Sequence, residues 1–208
     1  MKVKFLNCRI DISRKVFNPT AETEFWVEKI IKQLAKKKRA TAINMLDIFA
    51  GSGCIGIALL KNRKDSRVDF ADIANDATEQ IKINLKLNKI SAGRYEVYKS
   101  DLFEKIKKKK YDVIFANPPY VALNRISEVH KEVLEKDPHI ALFGGREGMD
   151  IIKKFLPEAK KHLSPQGKIF MEFDPLQKEA IEKILKGLNF KYKFKKDQFK
   201  KYRWLEIS

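Results

Sequence analysis

Cysteine and histidine are scarce in this chain of 208 residues, which contains two cysteines and three histidines. Cys8 and Cys54 are too few for the disulfide framework of a small secreted domain. His130, His139 and His162 lack the spacing of zinc ligands, so we expect no metal site. Cys54 opens a predicted helix, but no base or second thiol is evident near it, and we interpret it as a packing residue.

Long apolar runs are absent as well. The most apolar stretch, residues 43–60, contains Asp47 and three glycines, which is not typical of a membrane span. The segment from Met1 to Cys8 lacks the apolar region of a secretory signal. We therefore expect a cytoplasmic protein with no membrane partner.

Repeats and low-complexity linkers are also missing, and a length of 208 residues is ordinary for one domain. We predict a single domain over residues 1–208. Residues 1–40 would form an N-terminal extension and helix, and residues 41–208 would form the core.

Arginine is rare among the basic residues, since nine of the 44 are arginines, yet the net charge is +17. Positive charge attracts nucleic-acid phosphates, but arginine is the side chain best suited to bidentate phosphate and base contacts. Two lysine clusters stand out, residues 105–110 and residues 191–203, the second with seven basic residues. Each cluster is either a solvated surface or a contact with RNA or with a partner bound on a ribosome, and the sequence leaves both open.

Segments of strand character alternate with amphipathic helical segments, which predicts an α/β fold. Strands separated by helices favour a Rossmann-like, mostly parallel sheet of seven strands with helices on both faces. The predicted strands are residues 43–48, 68–71, 95–98, 111–116 and 168–173, followed by two near Phe190 and Trp204.

The predicted helices begin near Thr20, at Cys54, at a cap formed by Asn75 or Asp76, after Gly148 and at Leu176. A long loop over residues 121–147 is expected to cover or recognise a substrate. Ligands of such sheets bind at the carboxyl ends of the strands.

A glycine turn follows the first core strand, where a ligand is expected. Gly51 to Gly56 match G-x-G-x-x-G, and Asp72 lies nineteen residues after Gly53, near the spacing of a dinucleotide site. Asp47, just before the turn, argues against that cofactor because its charge would repel a pyrophosphate. S-adenosylmethionine instead carries a cationic sulfonium and an ammonium group, for which a carboxylate is a favourable neighbour.

The residues around this turn predict the cofactor contacts. Glycines let the backbone close on a ligand without a side-chain clash. Asp72 would accept both ribose hydroxyls, Asp101 would accept the adenine amine, and Leu102 would cover the adenine ring. A purely structural turn is the alternative for each of them. The predicted cofactor-binding residues are Asp47, Phe49, Ala50, Gly51, Ser52, Gly53, Asp72, Asp101, Leu102 and Asn117.

The tetrapeptide Asn117-Pro118-Pro119-Tyr120 closes the apolar strand 111–116. The Asn117 side-chain oxygen and the Pro118 carbonyl can each accept a hydrogen bond from a planar NH₂ group. The prolines stiffen the loop, and Tyr120 supplies a flat face for a base or an amide. The sequence therefore predicts a catalytic site that methylates a planar nitrogen, although the same residues are also common turn signals.

These motifs together resemble the HemK-type release-factor glutamine methyltransferases, which are class I enzymes dependent on S-adenosylmethionine. The resemblance covers nearly the whole chain. It includes the segments Asn18 to Glu24, Asp47 to Gly53, Asp72-Ile73, Asp101 to Phe103, Asn117 to Tyr120 and Pro138 to Gly148. The combination of P-x-x-E-T-E upstream with A-L-x-G-G-x-x-G downstream is its specific part.

The resemblance implies roles for the matching residues. Phe49 to Gly53, Asp72, Leu102 and Asn117 would contact S-adenosylmethionine, and Asn117 to Tyr120 would hold a glutamine amide. The implied reaction is direct in-line methyl transfer governed by positioning, with no dedicated general base. The implied protein substrate is a peptide chain release factor, with its Gly-Gly-Gln loop as acceptor.

Three departures from the family pattern qualify this reading. Phe49 stands where the family usually has glycine, and residues 49–53 also resemble ribosomal-RNA guanine-N2 methyltransferases, which typically carry Asp in place of Asn117. Thr20 and Ala21 replace the usual Arg and Pro. We also expect the small helical N-terminal domain of bacterial members to be missing, so that the core suffices alone or works with a small activator subunit.

Two other functions stay open at this stage. The first is methylation of an exocyclic amine in RNA or DNA, which the charge of +17 and the fit of the Asn117 motif to adenine favour. The second is a non-catalytic module that binds the cofactor or a ribosome.

Overall fold

The computed structural model describes residues 1–36, 42–106, 108–129 and 131–208. The predicted boundary between extension and core, at residues 40 and 41, lies outside the described residues. So do Lys107 of the first lysine cluster and His130.

A seven-stranded sheet forms the centre of the fold, in the order β5-β4-β3-β6-β7-β9-β8. The first five strands in that order are mutually parallel, whereas β9 runs antiparallel to both of its neighbours. The strands are β3 (Ile43–Ile48), β4 (Ser66–Asp72), β5 (Tyr95–Lys99), β6 (Tyr111–Ala116), β7 (Leu163–Glu172), β8 (Tyr192–Lys196) and β9 (Tyr202–Ile207). The predicted α/β fold is confirmed.

Helices cover both faces of the sheet because each has one apolar stripe to bury. One face packs against α1, α2 and α3, and the other against α6 and α7. The helices are α1 (Ala21–Ala35), α2 (Cys54–Asn62), α3 (Asn75–Leu87), α4 (Lys131–Lys136), α5 (His139–Leu142), α6 (Asp150–His162) and α7 (Lys178–Gly187). None of the helices in the described ranges is long and apolar enough to span a membrane.

An N-terminal hairpin of β1 (Lys2–Phe5) and β2 (Cys8–Asp11) was not predicted. Asn84 of α3 and Asn88, which directly follows α3, hold it by side-chain hydrogen bonds to its backbone. Asn84 accepts from the Asp11 amide at 2.7 Å, and Asn88 accepts from the Arg9 amide at 3.1 Å. The hairpin thereby satisfies backbone groups that an isolated pair of strands would leave to solvent.

Several predicted boundaries shift in the structure. Helix α3 begins at Asn75, as predicted, but neither Asn75 nor Asp76 caps it. Ala74 precedes the helix, and its amide donates to Asp72 at 2.9 Å. Strand β7 begins five residues earlier than predicted, at Leu163, with an irregular register opposite Tyr111. The long loop contains a 3₁₀ segment, Leu123–Glu128, and the short helices α4 and α5.

Parallel strands bring their carboxyl ends to one end of the sheet, here called the site end. It is formed by the last residues of β3 to β7. Because β9 is antiparallel, its first residue, Tyr202, and the last residue of β8, Lys196, lie at the same end. The starts of β3 to β7 form the opposite end.

Candidate active site

A cavity of about 390 Å³ opens at the site end, within the size range of small-molecule sites. Its wall combines the ends of β3, β4 and β6 with the start of α1 and the segment from Asp137 to Phe143. Eleven of the predicted site residues line it: Phe49, Ala50, Gly51, Ser52, Asp72, Asp101, Leu102, Asn117, Pro118, Pro119 and Tyr120. Asp47 and Gly53, which were also predicted, do not line it.

The glycine turn bends sharply after β3. Phe49, Gly51 and Gly53 have positive φ angles of 60°, 54° and 76°. Glycine adopts this conformation without strain, whereas phenylalanine does not. Phe49 therefore takes a strained backbone, and its ring packs edge-on against Phe155 at 5.5 Å between centroids.

Asp47 lies behind the turn and not on the cavity wall. Alternate strand residues face opposite sides, so Asp47 points with Met45 toward the helices of the first face. One carboxyl oxygen accepts from the Gly56 amide at 2.8 Å, and the other has no hydrogen-bond partner among the described residues. Burial raises the pKa of Asp47 to about 8, which favours the neutral form of this acid.

Asp72 connects the glycine turn to the start of α3. Its two oxygens accept from the Gly51 amide at 2.8 Å and the Ala74 amide at 2.9 Å, which leaves further lone pairs facing the cavity. Burial raises the pKa of this carboxyl, and the backbone bonds oppose the rise. Leu102 also lines the cavity with a positive φ of 44°, next to the exposed Asp101.

Asn117 is oriented by helix α1. Its side-chain nitrogen donates to the Thr23 hydroxyl at 3.4 Å, and Thr23 donates to Glu172 at 2.7 Å. Because the nitrogen is used in this way, the side-chain oxygen is the end of Asn117 left to accept from a ligand. Thr23 belongs to the P-x-x-E-T-E segment, so the threonine of that motif has a structural role, which is to orient Asn117.

Glu172, at the end of β7, is a site residue that sequence reasoning missed. It is 1% exposed and accepts from Tyr120 at 2.9 Å, from Thr23 at 2.7 Å and from the Trp26 indole at 2.8 Å. Burial raises its pKa, while the three donors lower it. The signal in the sequence was an acid closing an apolar strand, next to the strand that carries Asn117.

The glycines of the downstream motif allow it to pack on the Asn117 loop. A Cβ on Gly144 would lie 2.4 Å from the Pro119 carbonyl oxygen, and one on Gly148 would lie 2.2 Å from that of Tyr120. Gln177, also missed in the sequence, donates to the carbonyl oxygens of Tyr120 and Gly148 at 2.8 and 3.0 Å. The loop is thus held from two sides before any ligand binds.

The charge of the cavity is opposite to that of the whole chain. Among the described lining residues, the charged ones are Asp72, Asp101, Asp137 and Lys15, although the chain carries +17. The wall therefore favours a cationic or neutral ligand over a phosphate. Within the described ranges no group of three or more His, Cys, Asp or Glu is placed to hold a metal ion, and the metal-free site stays a prediction.

Comparison with known proteins agrees with this geometry. Residues 23–146 match the methyltransferase small domain family. The release factor glutamine methyltransferase of Flavobacterium psychrophilum is 32% identical over 210 residues, which cover 100% of this chain and 73% of that protein. The chain belongs to the release factor glutamine methyltransferase family. The predicted resemblance is therefore confirmed.

Two further similarities set the scope of this assignment. The release factor glutamine methyltransferase of Streptococcus pneumoniae is 34% identical over 88% of this chain, but the chain spans only 62% of that relative's length. The hMettl16 catalytic domain, solved in complex with a MAT2A 3'UTR hairpin, has a TM-score of 0.72 at 16% identity, over 96% of this chain and 74% of that one. The latter likeness shows the fold alone.

Proposed function

We propose that the protein transfers a methyl group from S-adenosylmethionine to the side-chain amide nitrogen of a protein glutamine. The observation that supports this most is the acidic wall of the cavity in a chain of charge +17, together with the free acceptor oxygen of Asn117. An acidic wall disfavours the pyrophosphate of a dinucleotide, which is the other ligand that the glycine turn fits.

The residues present fit S-adenosylmethionine, which supplies an electrophilic methyl group when bound. Asp72 has lone pairs for two ribose hydroxyls, because each oxygen spends only one on the backbone. Leu102 and Asp101 line the cavity and would hold adenine. Asp47 would act indirectly, by holding the turn through Gly56, since it does not reach the cavity.

The Asn117 loop would hold and orient the acceptor amide. The Asn117 oxygen and the Pro118 carbonyl accept the two amide hydrogens, which raises the electron density on a nitrogen whose lone pair is delocalised. Thr23, Glu172 and Gln177 fix the loop in advance, so little reorganisation accompanies the reaction. The proton leaves to solvent after transfer.

The acceptor protein is proposed from the relatives. They are named release factor glutamine methyltransferases, so the Gly-Gly-Gln loop of a peptide chain release factor is our first choice of substrate. Association with the ribosome, a small activator subunit and a cytoplasmic location remain predictions.

Methylation of an exocyclic amine in RNA or DNA is the second candidate. The Asn117 motif offers two acceptors to adenine as readily as to an amide. A lysine-rich hairpin at the same end of the sheet would also attract nucleic acid.

One assay separates the two functions. Labelled S-adenosylmethionine is incubated with the protein and one of three acceptors: a release factor, the same factor with its loop glutamine changed to alanine, or purified ribosomal RNA. We expect label in the first acceptor alone. Label only in RNA would favour the second candidate, and label in none of them would indicate a non-catalytic module.

A further inference from the structure

The hairpin of β8 and β9 carries a dense group of unneutralised lysines. Residues 191–203 contain seven basic residues and a single acid, Asp197. That acid is buried, accepts from the amides of Phe199 and Lys201 at 2.9 and 3.0 Å, and lies 3.4 Å from the Arg203 guanidinium. Within the described part of the chain, no carboxylate forms an ion pair with the six lysines of this hairpin.

Exposed aromatic rings lie among these lysines. Phe199, in the turn, is 62% exposed, and Tyr202 is 38% exposed. Lys196 and Lys178 each lie 5.3 Å from the Tyr202 ring centroid. An alternation of cationic and aromatic groups is typical of surfaces that bind single-stranded nucleic acid, where bases stack on the rings and lysines contact the phosphates.

Protection of an edge strand does not account for this surface. Lysines on an edge strand discourage pairing with another chain, and that explains Lys193 and Lys195 on β8. An exposed phenylalanine has the opposite effect, because it promotes association. Phe199 therefore points to a ligand with an apolar, planar face.

The hairpin turn lies at the site end of the sheet. Trp204 of β9 pairs with Glu172 of β7, and Glu172 accepts from Tyr120 of the Asn117 loop. Strand β8 is three places from β6 in the sheet, which at about 4.8 Å per strand puts the turn about 15 Å from Asn117. A molecule bound on the turn would reach the mouth of the cavity.

We propose that residues 191–203, with Lys178, bind single-stranded RNA beside the cavity. The lysines contact the phosphates, and Phe199 and Tyr202 stack with unpaired bases. RNA is the nucleic acid chosen because its loops present unpaired bases, whereas DNA is mostly duplex. The RNA is a docking partner here, and the acidic cavity remains the site for cofactor and acceptor.

Fluorescence anisotropy with a labelled oligouridine of about twelve nucleotides tests this directly, because it requires no methyl transfer. The full chain is compared with the triple variant Lys196→Gln, Lys200→Gln, Lys201→Gln. A control triple, Lys36→Gln, Lys64→Gln, Lys86→Gln, removes the same charge from exposed sites outside the hairpin. We expect the hairpin triple to weaken binding at least about tenfold and to lower the salt slope by about 2, and the control triple to change affinity by less than about twofold.

A second variant isolates the aromatic contribution. Phe199→Ala should weaken oligouridine binding about tenfold, and Phe199→Trp should retain it. Equal losses in the two lysine triples, an unchanged affinity of Phe199→Ala, or tighter binding of a glutamate-rich peptide of the same charge would each overturn the proposal.

Discussion

Two buried acids on neighbouring strands, Asp69 and Asp47, differ in how their charge is compensated, although they lie one register step apart on opposite faces of the sheet. Asp69, in the middle of β4, accepts from Lys109 and from the Tyr111 hydroxyl, both at 2.9 Å, and Arg67 lies 3.8 Å away. Toward the site end, Asp47 has one backbone bond and no cationic partner among the described residues. Burial of a charge is costly unless it is paired, so ionisation of Asp47 should reduce stability more than ionisation of Asp69.

The two lysine clusters divide in the same way. In residues 105–110, Lys109 pairs with Asp69 and Glu96, and Lys110 donates to the Lys161 carbonyl at 2.6 Å. In residues 191–203, the lysines have no carboxylate partner within the described ranges. The difference teaches that a lysine paired with a buried acid, such as Lys109, supports the fold, whereas the lysines of residues 191–203 are left available to a ligand. The following predictions test that division.

The largest effect is expected from Asn117→Ala at the site end. Losing an acceptor that acts in the transition state should lower kcat about a hundredfold or more, while the melting temperature changes little. Methyl transfer to a release factor under saturating cofactor measures the first quantity, and thermal unfolding the second. Asn44→Ala, an exposed asparagine at the opposite end, is the matched control and should keep full activity.

Lys109→Met should lower stability and leave the activity unchanged. It leaves Asp69 buried without its nearest cation, so the free energy of unfolding should fall by about 2 kcal/mol, with kcat unchanged well below the melting temperature. Denaturant unfolding measures this loss, and Lys105→Met, from an exposed site in the same cluster, serves as control. A stability loss equal in the two variants would contradict the assigned role of Lys109.

Asp47→Asn should stabilise the free protein, increasingly so at higher pH. The folded-state pKa of about 8 exceeds the unfolded value, so the native state binds more protons between pH 4 and 8 and its stability falls as pH rises. The variant removes that loss, so we expect little gain at pH 4 and a gain in the free energy of unfolding that grows steadily up to pH 8. Denaturant unfolding at several pH values measures the gain, with Asp76→Asn, at an exposed acid, as the control. A gain in stability that does not depend on pH would contradict the prediction.

The smallest effect is expected from Tyr120→Phe. It removes one donor to Glu172 and leaves the ring that faces the cavity, so stability should fall by about 1 kcal/mol and kcat/KM a few-fold. Steady-state kinetics and unfolding together measure it. A loss as large as that of Asn117→Ala would instead give the hydroxyl a direct part in the reaction.

Strands, helices and loops were predictable where neighbouring residues alone determine them. Strands β3 and β6 have the predicted bounds and helix α2 has the predicted start, because each is an apolar segment bounded by glycine, proline or a turn. The Asn117 loop and the glycine turn reach the same cavity because parallel strands end together.

The features that escaped prediction depend on distant pairs. Hairpin β1–β2 is held by asparagines 73 to 79 residues away. Glu172 contacts Thr23 across 149 residues. The direction of Asp47 was also not predicted, since a residue's place near a strand end does not tell which side of the strand it faces.

The central claim is that the Asn117 side-chain oxygen accepts a hydrogen bond from the acceptor amide at the site end of the sheet. A crystal structure with S-adenosylhomocysteine and a Gly-Gly-Gln peptide measures this as the distance from that oxygen to the glutamine nitrogen. We predict a hydrogen bond of about 3 Å, with the ribose hydroxyls on Asp72. A cofactor bound outside the cavity, or a glutamine with no contact to Asn117, would contradict the account.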